Sequence, residues 1–298
     1  MTRRVAAMAL AASAAWLLQG CARSESPGDG WPGDGEGDGD GTAGDATDGL
    51  EEDADTTDVP VDPGDDDAPC AEATFTVSET QETFTVPPYA KYMYVKAWGA
   101  GGNGELGCDY ANGGLGGFSA AVFEVTSGDP LIIIVGRRGR AGLSSEEIVR
   151  FGFGHWGGGG LTGVFRGPDL IDENDSLLAY VIAGGGGGAS APGCAPGGPG
   201  NHATAGGMPT MMGGAGADDV NGGAGGYRGG TGGAAGVGGK GGTGYVDPSA
   251  IDSLILGGEA GDAAPPRADD EDYDGTAGQT EQNGLIILRF VCDVPPII

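Results

Sequence analysis

The residues best able to do chemistry in this chain are its cysteines. Four of the five, Cys70, Cys108, Cys194 and Cys292, lie beyond residue 69, no two of them form a CxxC pair, and the only histidines are His155 and His202. No metal site is expected from that set, whereas an even number of cysteines in an oxidising compartment points to disulfides. Four cysteines allow three pairings. Because Cys70 and Cys292 flank the region rich in strand-forming residues, we expect them to pair across its ends, with Cys108 bonded to Cys194 inside.

Other reactive types are sparse. Gly99 to Gly104 fits the G-x-G-x-x-G fingerprint, but a dinucleotide site needs a helix to start there, and residues 105–117 carry Gly, Asn and Cys without an apolar stripe. Gly239-Lys240 is followed by Gly241 where a phosphate loop needs Ser or Thr, and neither G-x-S-x-G nor H-E-x-x-H occurs. His155, beside Trp156, has the chemistry of a base but more commonly caps a turn. The run Asp269, Asp270, Glu271, Asp272, Tyr273, Asp274 is a candidate cation or ligand site set against the plainer reading of a solvated loop. Tyr227 and Arg228 interrupt the glycine triplets, which makes them candidate ligand contacts. No catalytic constellation emerges, so neither an enzyme nor a cofactor is expected.

The fifth cysteine, Cys21, has a different setting. Arg3 and Arg4 precede an apolar run of 14 residues, Val5 to Leu18, which is the layout of a secretory signal and too short to span a bilayer as a helix. Leu18-Gln19-Gly20-Cys21 resembles the lipobox of bacterial lipoproteins. That resemblance implies cleavage before Cys21, lipidation of Cys21 as an anchor in the bilayer, and, with Ala22 following, an outer-membrane position facing the periplasm or the outside. Residues 1–20 then form the signal, 21–69 a tether and 70–298 the folded domain.

The tether reads as unable to fold. Between Ala22 and Pro69 there are 17 acidic residues, one Arg and few apolar side chains, too little to offset the entropy of ordering. As a Gly-rich coil its 48 residues would span roughly 35 to 42 Å. Asp34 to Gly39 imitates the opening of a calcium loop, yet neither flanking helices nor a closing Glu accompany it. The formal charge of −29, or −31 once Arg3 and Arg4 are removed, disfavours nucleic acid and favours cationic partners.

Beyond Cys70 short runs of Val, Ile, Thr, Phe and Tyr alternate with glycine. Strands are expected at 74–77, 83–86, 92–98, 118–125, 131–135, 161–166, 177–183, 254–256 and 285–291, and at most a helical turn at 144–150. In the third, Met93, Val95 and Ala97 share one face and Tyr92, Tyr94, Lys96 and Trp98 the other. This region holds 55 of the 66 glycines. From Asn221 to Tyr245 they fall largely in Gly-Gly-X triplets, a period of three that suits extended helices of three residues per turn with two bare backbone faces.

These pieces resemble the glycine-rich domain of the anaplastic lymphoma kinase and leukocyte tyrosine kinase receptors, also found in bacterial glycine-rich proteins. The matching segments are Ala97 to Gly102, Pro130 to Gly136, Trp156 to Gly160 with Val164 to Arg166, Val181 to Gly187, Gly226 to Gly230 and the final strand to Cys292, in the family's order. The resemblance implies an all-β, TNF-like (jelly-roll) sandwich with inserts forming packed polyglycine II helices. It also implies a recognition role, with a basic protein or surface glycan as ligand. No kinase motif is present. The expectation is therefore a non-enzymatic envelope recognition or adhesion lipoprotein; the alternatives are a self-associating structural component or a hydrolase of unrecognised type.

Overall fold

The computed structural model describes residues 70–77, 81–104, 112–140, 157–190, 194–201, 208, 210–214, 222–258 and 264–292. All lie in the second of two compact units, Ala54–Ile298. Cys21, Cys108, His155, His202, the expected turn at 144–150 and the 1–69 segment lie outside these residues.

Among the described residues, ten strands form two antiparallel sheets. They are β1 (Ala71–Phe75), β2 (Glu82–Thr85), β3 (Ala90–Trp98), β4 (Phe118–Glu124), β5 (Pro130–Ile134), β6 (Thr162–Arg166), β7 (Ala179–Ala183), β8 (Tyr245–Val246), β9 (Asp252–Leu256) and β10 (Leu285–Cys292). One sheet runs β1-β10-β3-β4-β9 and the other β2-β5-β6-β7-β8. Nine of the ten coincide with expected runs within a few residues. The first two residues of the expected 177–183 run belong instead to a 3-10 turn, Asp175–Leu178, and two-residue β8 is not among the expected strands.

Alternation decides which face each side chain takes. Met93, Val95 and Ala97 of β3 meet Phe290, Leu288 and Ile286 of β10, Phe123 of β4, and Leu131, Ile133 and Val164 of the second sheet in the core between the layers. The opposite faces are also covered. Ile132, Ile134, Phe165 and Ile182 lie under Met211 and Tyr227 from the long insert before β8 and beside Tyr245 of β8 itself. Trp98, Phe118, Leu285 and Ile287 lie under Ala277 and Tyr273 from the loop before β10. β4 to β7 are buried on both faces because both faces are roofed there.

Strand direction explains where the glycine goes. Glycine follows the C-terminal ends of β3 and β9 directly and of β5 after Val135, follows β7 directly, and precedes the N-terminal ends of β4, β8 and β10. In antiparallel neighbours those ends lie at the same pole of the sandwich. The other pole carries the N-terminus of β1, where Ala71 faces Phe290, and there Cys70 is bonded to Cys292 across 222 residues. The expected Cys70–Cys292 pairing is thus present. Cys194 is also disulfide-bonded, while its expected partner lies outside the described residues.

Candidate functional site

The glycine pole is built around residues 184–189, which leave β7 in extended form. Their N–H groups are spent in rotation: Gly184 and Gly187 donate to the Asn201 side-chain Oδ1 and the Gly198 carbonyl, Gly185 and Gly188 to Gly225 and Gly222, and Gly186 and Ala189 to Ala100 and Asn103. Their carbonyls accept in rotation from Gly117 and Gly114, from Gly242 and Gly239, and from Gly159. These bonds measure 2.7 to 3.0 Å, and they join one segment to six neighbours, 100–103, 114–117, 157–160, 198–201, 222–225 and 239–242. The same neighbour returns at every third residue, as three residues per turn requires. A side chain has no room there: a Cβ on Gly186 would collide with the Gly114 carbonyl, and one on Gly187 with that of Gly239.

This bonding answers the question of phosphate loops. Across Gly99 to Gly104 the N–H groups donate to the carbonyls of Gly117, Gly160, Gln282, Gly114 and Gly157 and to the Glu281 carboxylate. Gly239, Lys240 and Gly242 donate to Gly188, Thr231 and Gly185. Backbone donors already held by protein carbonyls are not free to cradle an anion.

The acidic run lies over the outer face of the first sheet and is met by cations from the strands beneath. Lys96 of β3 reaches Asp270 at 3.1 Å and Asp272 at 2.8 Å, and Arg289 of β10 reaches Asp272 at 2.6 Å and Glu271 at 3.7 Å. Arg267 lies 3.5 Å from Asp270 and 3.9 Å from Asp269. Asp270 is nearly fully buried, whereas the side chains of Asp269 and Glu271 are 82% and 73% exposed. Among the described residues no group of His, Cys, Asp or Glu is arranged to hold a metal ion. The run reads as a latch that fastens its loop, with the Pro266 carbonyl accepting from Trp98 Nε1 at 3.2 Å.

The latch has a pH signature. Burial opposes the charge on Lys96, but hydrogen bonds to Asp272 and Asp270 outweigh it and raise the ammonium above its ordinary value. Burial likewise opposes ionisation of Asp270, and the Asp272 backbone N–H with Lys96 and Arg267 overrides it, holding the carboxyl below its ordinary value. A depressed acid gives stability that is present above the unfolded carboxylate range near 3.8 and is lost as pH falls through the folded value. A raised lysine gives stability present below 10.5 and lost as pH climbs through its folded value. Lys96→Met should cost about 2 to 3 kcal/mol at neutral pH, because it leaves Asp270 with only the more distant Arg267 and Asp272 with only Arg289 as cations. Urea melts should show that cost shrinking once acid has protonated Asp270; an equal cost at both pH values would remove the latch.

Tyr227 and Arg228 are brought to the side of the second sheet. The Tyr227 ring stacks on Tyr245, centroids 4.2 Å apart and 7° from parallel. Arg228 is tied by its backbone to Thr243 and its side chain is exposed. Close by in sequence, Asp247 accepts from Arg166 at 2.9 Å, and this bond above all holds its carboxyl well below the carboxylate range. Arg166 also lies over the Tyr180 ring, 3.9 Å from its centroid.

Asn201 is the residue that sequence reading passed over. With φ of 56°, its side-chain Oδ1 accepts from the Gly184 N–H at 2.7 Å, while Nδ2 donates to the carbonyls of Phe118 at 2.8 Å and Leu256 at 3.1 Å and to Ser119 Oγ at 3.1 Å. It thereby ties β4, β7 and β9 where glycine takes over. The only sequence signal is one asparagine standing in the Pro-Gly-Asn-His stretch at 199–202. No helix among the described residues is long and apolar enough to cross a membrane. No family model matches the chain, and no curated protein matches it either.

Proposed function

We propose that this chain is a lipid-anchored recognition or adhesion module of the bacterial envelope, with a rigid glycine-rich pole as its presenting end. One observation carries the reading: the glycine segments gather at the pole opposite Cys70, the residue through which the acidic 22–69 stretch enters the domain. Anchored at Cys21, the head would keep that pole free to meet a partner rather than tied at the tether. The backbone donors and acceptors of its central segment are consumed internally, which suits a stiff platform carrying surface side chains such as Arg228 better than a catalytic pocket.

The finer fold in this proposal is a TNF-like jelly roll with packed polyglycine II helices, akin to the receptor glycine-rich domains. The return of each hydrogen-bonded neighbour at every third residue supports the helices. Pairing of the first strand with the last, and the β1 to β2 step between sheets, support the jelly roll; the hairpins β3–β4 and β5–β6–β7 stay within one sheet and depart from it. The proposed ligand is a basic protein or a surface glycan.

The test is binding of the mature chain, lipidated in vesicles, to arrays of envelope glycans and basic proteins. Saturable binding that changes on Arg228→Glu, falling for an anionic glycan and rising for a basic protein, would support the reading. Binding to nothing beyond what the unfolded chain retains would sink it.

A further inference from the structure

Asn-Gly steps are the points where a polypeptide most readily attacks itself, because glycine leaves its amide nitrogen open to the preceding carboxamide. Three fall among the described residues, at Asn103-Gly104, Asn112-Gly113 and Asn283-Gly284. At the first, Asn103 Nδ2 donates to the Gly104 carbonyl at 2.6 Å, which folds the carboxamide toward the glycine whose own nitrogen would attack it. The Gly104 N–H donates to Glu281 Oε1 at 3.2 Å. Glu281 is itself fixed, with φ of 61° and its N–H on the Gly102 carbonyl at 2.9 Å. The Asn103 backbone is clamped on both sides, donating to Gly157 and accepting from Ala189. Among the described residues, this is the step at which a carboxylate is seen on the glycine N–H.

We propose that Asn103-Gly104 is a self-modification site at which Glu281 acts as base. The Gly104 nitrogen bonds to Asn103 Cγ while its proton passes to the Glu281 carboxylate. The Cγ–Nδ2 bond then breaks, and the departing nitrogen takes that proton back and leaves as ammonia. The succinimide so formed is opened by water at either carbonyl, giving aspartate or isoaspartate at 103. No oxidant or reductant is needed. Holding attacker, electrophile and base together is what makes such a reaction effectively unimolecular.

Asn283-Gly284 is the internal contrast. The Gly284 N–H donates to the Gly136 carbonyl at 2.9 Å, Asn283 Oδ1 accepts from the Arg138 N–H at 3.0 Å, and the space beside Gly284 is filled by Thr162 Oγ1. The carboxamide oxygen is held by another partner, and the Gly284 N–H is spent on a backbone carbonyl, which cannot act as its base. The consequence of reaction at 103 would be local and lasting: isoaspartate lengthens the main chain beside a clamped segment and sets a new carboxylate against Glu281.

The experiment is incubation of the full chain, folded and in denaturant, at mildly alkaline pH, followed by digestion and peptide masses. In the folded chain the Asn103 peptide should gain about 1 Da, from ammonia lost and water added, while the Asn283 peptide stays unchanged. Glu281→Gln should slow the Asn103 reaction by about tenfold or more. In denaturant the two sites should react at similar rates and Glu281→Gln should have no effect. Equal rates at both sites in the folded chain would overturn the proposal, as would an undiminished rate in a folded Glu281→Gln chain. Were that variant unfolded, a rise in Asn283 reaction would reveal it, and the wild-type comparison of the two sites then decides.

Discussion

Alanine at position 186 should unfold the glycine pole, although it adds a single methyl group. Gly186 donates to the Ala100 carbonyl and accepts from Gly159, and a Cβ built on it would run into the Gly114 carbonyl with the Leu115 carbonyl close behind. The obstacle is backbone, which cannot rotate away as a side chain can. Relief requires the 114–117 segment to retreat, and with it the bonds from Gly114 and Gly117 to Gly187 and Gly184. Overpacking alone costs about 1 to 3 kcal/mol. Each broken backbone bond left without water adds about 1 to 3 more, so a total of roughly 4 to 6 kcal/mol is expected for Gly186→Ala, comparable to the stability of a small domain. Gly128 provides the control: nothing lies within 4 Å of its Cβ position, but its φ is 88°, so Gly128→Ala should cost only about 1 kcal/mol of backbone strain. Denaturant melts of the two variants measure the difference. Equal, small losses would mean that the glycines are spacers and not packing surfaces.

That contrast also marks what the sequence discloses. The strands are legible because their signal is local: Met93, Val95 and Ala97 alternate with Tyr94, Lys96 and Trp98, and the two sets take opposite faces. The triplets near Asn221 to Tyr245 announce a period of three. Which segments meet is a different matter, because a glycine carries no side chain to encode a partner, and the neighbours of 184–189 come from positions as far apart as 100 and 242. Partnership is fixed instead by the strands, which deliver each glycine run to the same pole. The partners of the acidic run are hidden from the sequence for a related reason. Asp270 and Asp272 look like a ligand site in isolation, but Lys96 and Arg289, 174 and 17 residues away from the carboxylates they bind, reach them only through the pairing of β3 with β10.

Asn201 shows the same dependence from the side of a single residue, and its replacement should have the second large effect. Asn201→Ala removes one acceptor and one amide donor group. It leaves the Gly184 N–H and the carbonyls of Phe118 and Leu256 without their partner, and Ser119 Oγ keeps only its bond to the Ile182 carbonyl at 2.9 Å. With about 1 to 3 kcal/mol per stranded buried group, and water able to reach part of the cavity, a loss of roughly 3 to 5 kcal/mol is expected. Asn201→Asp separates charge from shape. It keeps the acceptor facing Gly184 but turns the Nδ2 position into an oxygen facing two carbonyl oxygens, so it should be at least as damaging at neutral pH despite its near-identical volume. Acid should partly rescue it, because a protonated carboxyl regains one donor. The measurement is thermal or urea unfolding of the three chains at neutral and acidic pH. If aspartate is tolerated at neutral pH, the amide is not the tie between β4, β7 and β9, and the left-handed backbone at 201 alone sets the turn.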